Sequence, residues 1–85
     1  MTEKEIQILG FSRVDVHAEE SGTYPYHFYQ YEITPGLSLK SNDSDEYSAQ
    51  NDEWHIKFDN TTNPIIFHKM EKVQALINTL EKVKV

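Results

Sequence analysis

The chain contains no cysteine, so disulfides, zinc–thiolate sites and thiol nucleophiles are excluded outright. Glycine and proline occur three times each, and Gly10, Gly22 and Gly36 are spread over separate turns. No glycine-rich phosphate loop can be assembled from them. Bases are scarce: eight Lys and Arg stand against fourteen Asp and Glu, a formal net charge of −6. That balance disfavours nucleic acid and anionic membranes as partners, since both need clustered lysine and arginine. No apolar run approaches the ~20 residues that span a bilayer. The start Met1-Thr2-Glu3-Lys4-Glu5 lacks the basic and apolar regions of a signal peptide. A reduced, cytoplasmic setting is the expectation.

Eighty-five residues fit one small globular domain, residues 1–85. A chain of this size buries only ~60–65% of its unfolded surface, so a deep catalytic cleft is hard to build. Aromatics make up 12% of the residues, which argues against disorder.

Thr2 followed by Glu5 reads as a capping box, and Gly10 as a helix stop, so residues 3–9 are expected to be a short helix. Residues 11–20 alternate, with Val14, Val16 and Ala18 on one face and Arg13, Asp15, His17 and Glu19 on the other. Ser21-Gly22-Thr23 is turn chemistry, and residues 24–33 are rich in strand-forming aromatics. Together they predict a long antiparallel hairpin. Thr34-Pro35-Gly36 predicts a second turn, followed by a strand over 37–41. A further strand is predicted over 54–59, with Trp54, Ile56 and Phe58 inward, and a turn over 59–64. Residues 65–67 read as an extra strand or as an apolar lead-in. Over 69–83, Met70, Val73, Ile77 and Leu80 step by three and four, the stripe of an amphipathic helix. The expected architecture is α+β: a four-stranded antiparallel meander, the C-terminal helix on one face, and the short N-terminal helix at an edge or beside it.

The acidic stretch from Ser41 to Glu53 holds five carboxylates. With Asn42 as position one of a calcium loop, Glu53 falls at position twelve, but Tyr47 stands where the bend needs glycine. Both flanks read as strands, so the stretch is expected to be a solvated connection.

The first hairpin is the better candidate. A turn centred on Gly22 would set Val16 opposite Phe28, Ala18 opposite Tyr26, His17 opposite His27 and Asp15 opposite Tyr29. Val14, Val16, Ala18, Tyr26 and Phe28 would face inward. Asp15, His17, Glu19, His27, Tyr29 and Tyr31 would form an outer face suited to protein contact, where aromatics are enriched. The same face offers an alternative, a transition-metal site of His17, His27 and Glu19, because imidazole and carboxylate are suitable ligands. A third reading is an acidic inhibitor that competes for a nucleic-acid-binding protein by charge. The plainer reading is strand-forming tyrosines beside exposed histidines. His55 and His68 read as incidental.

Ser, His and Asp occur in no nucleophile motif, and no carboxylate pair is marked as buried. The expectation is therefore a non-enzymatic protein-interaction or accessory module with no cofactor. It would bind another protein or itself, through the hairpin face or through an edge left open by residues 65–67 or the first strand. In size and in segments such as Leu9-Gly10-Phe11 the chain is similar to small acidic proteins carried by phages and mobile elements. That resemblance covers the chain in outline and implies no site residue.

Overall fold

The computed structural model describes residues 1–22, 24–58 and 65–82. Thr2 closes the first helix, α1 (Glu3–Ile8). Its hydroxyl accepts from the Glu5 amide at 3.2 Å, and the Glu5 carboxylate accepts from the Thr2 amide at 2.9 Å. The reciprocal bonds satisfy two donors that a helix start leaves unpaired. Gly10, at φ +95°, turns the chain out of the helix.

The remaining elements are β1 (Ser12–Val16), α2 (Ala18–Ser21), β2 (Tyr26–Thr34), β3 (Leu37–Ser41), α3 (Tyr47–Gln50), β4 (Ile56–Phe58), β5 (Ile65–Phe67) and α4 (Met70–Lys82). The strands form one antiparallel meander in the order β1-β2-β3-β4-β5. The α+β class and both terminal helices agree with the sequence reading. The sheet has five strands where four are predicted, because residues 65–67 pair with β4. The expected turn over 59–64, the last residue of the expected fourth strand and Val83 lie outside the described residues.

The predicted first strand is too long. It ends at Val16, and Ala18–Ser21 coil into one helical turn closed by Gly22 at φ +82°. The Gly22 amide donates to the Ala18 carbonyl at 2.9 Å. Ala and Glu favour helix, and a glycine just past them accepts the left-handed conformation that ends one. This turn lengthens the connection and moves the hairpin register by two residues. Arg13 lies opposite Tyr29, Val14 opposite Phe28, Asp15 opposite His27 and Val16 opposite Tyr26.

The first hairpin is also turned over relative to the expectation, whereas Trp54, Ile56 and Phe58 face inward as predicted. Tyr29 lies in the core with Leu39, Ile56 and Trp54, together with Ile6 of α1, Leu9 at its C-terminal cap, and Val73 and Ile77 of α4. Tyr31, Phe58, Phe67 and Met70 pack around them. Val14, Val16, Tyr26 and Phe28 lie on the opposite face, half-buried and outside this cluster. The reason lies across the sheet. Tyr31 pairs with Leu39 and Leu39 with Phe58, whereas Gln30 pairs with Lys40 and Lys40 with Lys57. The apolar row must face the helices, and the hairpin follows it.

Residues 42–53 are not simply solvated. Asn42 is 1% exposed. Its amide group donates to Ser48 Oγ at 2.9 Å, and its Oδ1 accepts from the His55 amide at 3.0 Å. Asp52, at φ +58°, accepts from the Glu3 amide at 3.0 Å and so ties the stretch to α1. Among the described residues, no helix is long and apolar enough to cross a membrane.

Candidate functional site

At the end of the first hairpin β1, β2 and residue 44 enclose a concavity of about 400 Å³. Its polar wall is Arg13, Asp15, His17, His27 and Ser44; Val16, Pro25 and Tyr26 are its apolar part. The register explains the wall. Asp15 and His27 are cross-strand partners, so their side chains leave the sheet on one face. Arg13 lies two residues away on the same face, and its Nε donates to Asp15 Oδ1 at 2.9 Å. That bond, with the charge of Asp15, holds the guanidinium above its ordinary pKa. Ser44 is brought in by a two-way contact with His27: the Ser44 amide donates to the His27 carbonyl at 2.8 Å, and the His27 amide donates to Ser44 Oγ at 2.9 Å.

Behind this wall stands a hydrogen-bonded cluster that fastens α1 to the sheet. Glu3 Oε2 accepts from His27 Nε2 at 2.7 Å and from the Tyr29 hydroxyl at 2.7 Å. Gln7 Nε2 donates to the Tyr29 oxygen at 3.0 Å. The His27 ring stacks on Trp54 with centroids 5.7 Å apart, and Tyr29 meets Trp54 edge-on at 5.5 Å. Burial alone would raise the Glu3 pKa, but the bonds from Tyr29 and His27 outweigh it, and the net shift is downward. Burial, reinforced by the bond to Glu3, raises the Tyr29 hydroxyl. The carboxylate is thus held ionised, and the phenol is held protonated.

The six residues singled out from the sequence separate into three groups. Asp15, His17 and His27 line the concavity. Glu19 is exposed on α2, and His17 precedes that turn in extended conformation. Tyr29 and Tyr31 do not form an open contact face. Tyr29 is 1% exposed, while Tyr31 packs on Phe11 at 5.4 Å and donates to Glu81 at 3.2 Å, joining β2 to α4. The register that would oppose His17 and His27 is not formed, and the nearest carboxylate to His27 is Glu3 rather than Glu19. Among the described residues, no three His, Asp or Glu side chains are grouped to hold a metal ion.

Glu3, Gln7, Ser44 and Trp54 escape sequence reasoning. Their meeting joins segments more than forty residues apart, and no local pattern encodes it. Asp15 against His27 has a local signal, because the helical turn Ala18–Ser21 closed by Gly22 shortens β1 and sets the register. Compared with protein-family models, curated proteins and solved structures, the chain matches none.

Proposed function

We propose that this chain is a non-enzymatic protein-interaction module that grips a partner through the concavity at the end of the first hairpin. One observation carries the reading: Asp15, His17 and His27 share a single hollow with Arg13 and the apolar Val16, Pro25 and Tyr26. Paired charges beside an aromatic ring and a proline suit an amphipathic side chain or loop of another protein, and Tyr and Arg are the residue types enriched at interface anchors. Two pairs of polar groups are already matched, Arg13 with Asp15 and His27 with Glu3, which favours recognition over acid–base chemistry at those residues.

The test is site-specific photocrosslinking in the native cell, with a benzophenone amino acid replacing Tyr26 and, separately, the 82% exposed Tyr47. A discrete adduct is expected at Tyr26, absent at Tyr47 and lost on Arg13→Ala or His17→Ala. The same adducts at both positions, or none at Tyr26, would reject this surface.

A further inference from the structure

The sheet has two edges, and they are built differently. β1 carries the Arg13–Asp15 ion pair within its five residues and gives way to a helical turn two residues later. Charge and early termination are the usual protections of an exposed edge. β5 is shorter still, three residues, but it carries no charge. Ile65-Ile66-Phe67 is uncharged, and Ile65 and Ile66 remain 53% and 45% exposed. The strand pairs with β4 on one side, and no other backbone hydrogen bond joins Ile65–Phe67 to a described residue. Its free side is a short row of unpaired donors and acceptors flanked by isoleucine.

We infer that β5 is a self-association edge, at which a second copy of this chain adds antiparallel to Ile65–Phe67 about a twofold axis at Ile66. The inference is independent of the hairpin hollow. Ile65 and Phe67 leave the core face of the sheet, since they pair with Phe58 and Ile56. Antiparallel pairing about Ile66 sets Ile65 against the partner's Phe67, and Phe67 against the partner's Ile65. The apolar row that α4 covers then runs on into the second copy without a break. Ile66 meets its own counterpart on the other face, and no like charges are opposed along the strand. Face-to-face packing of the two open sheet faces would instead bury Lys40 and Lys57, which stand side by side there. A foreign strand added to the same edge through main-chain bonds would give no Ile66→Cys homodimer. Three paired residues per copy fall below the interface size of stable dimers, so the association is weak and is sought at high concentration.

The absence of native cysteine allows a direct test. Directly opposed residues in an antiparallel pair have Cα atoms about 4.5–5.5 Å apart, within reach of a disulfide. The chain carrying Ile66→Cys is oxidised at ~500 μM and at ~10 μM, alongside Ser12→Cys on the β1 edge. Rapid disulfide dimer at the higher concentration, at least about fivefold faster for Ile66→Cys, supports the pairing. Sedimentation of the unmodified chain at ~500 μM should show dimer, reduced at least about fivefold by Ile66→Lys and by the milder Ile66→Thr. The proposal is overturned by a monomer at that concentration, by a dimer indifferent to both substitutions, or by equal crosslinking at Ser12→Cys. A dimer abolished by Phe28→Ser but not by Ile66→Lys would assign the contact to the open face instead.

Discussion

Tyr29 buries its ring in the core while its hydroxyl joins Glu3 and Gln7. Tyr29→Phe keeps the packing and removes those bonds, so it should cost about 1 kcal/mol in urea unfolding. Two other groups contribute to the acid response. Burial, aided by Lys57, lowers the His55 pKa below its ordinary value. The unfolded chain therefore binds a proton there first, and stability present above about pH 6.5 drains as pH falls below it. Glu3 is lowered as well, against its burial, by Tyr29 and His27. Its contribution is complete above the ordinary carboxylate range and is lost from about pH 5 downward, as pH falls through the folded-state value. Urea midpoints measured from pH 8 to pH 4 should decline in two stages. His55→Gln should remove the upper stage, and Glu3→Gln should shrink the lower one, to which Glu5, lowered by its bond from the Thr2 amide, also contributes. A decline unchanged in both variants would refute the assignment.

Local chemistry accounts for most of the elements. The capping box of α1 was legible because both members lie within four residues, and Thr2→Ala should cost about 1 kcal/mol with the fold retained. The stripe of α4 was legible because burial repeats with the helical period, and Val73 and Ile77 are the buried pair it names. β3 was legible to the residue, bracketed by Thr34-Pro35-Gly36 and the acidic stretch. β1 was overextended because the valine alternation runs into Ala18, which also begins a helical turn. A four-residue helix competes with a strand on nearly equal terms, and the glycine that follows decided it. α3 carried even less signal, since its fixing contacts are Ser48 to Asn42 and the buried Ala49.

The whole molecule chose which side of the sheet faces the helices. Neighbouring residues of β2 make this measurable. Tyr29→Ser should cost about 3–5 kcal/mol, the range for emptying a buried aromatic site. Phe28→Ser, half-buried on the other face under the Lys40 ammonium at 5.9 Å, should cost about 1–2 kcal/mol. Equal costs, or the reverse order, would mean that the core lies on the other face.

By itself the sequence determined the exclusions that follow from lacking cysteine, the α+β class, both terminal helices and the meandering order of the first strands. Each of these depends on composition or on patterns a few residues long. Tertiary structure alone decided the buried face of the hairpin and the meeting of Glu3, His27, Tyr29 and Trp54. A period of two separates the faces of a strand without saying which is inside. That choice belongs to the sum of apolar side chains across all five strands and the helices laid over them.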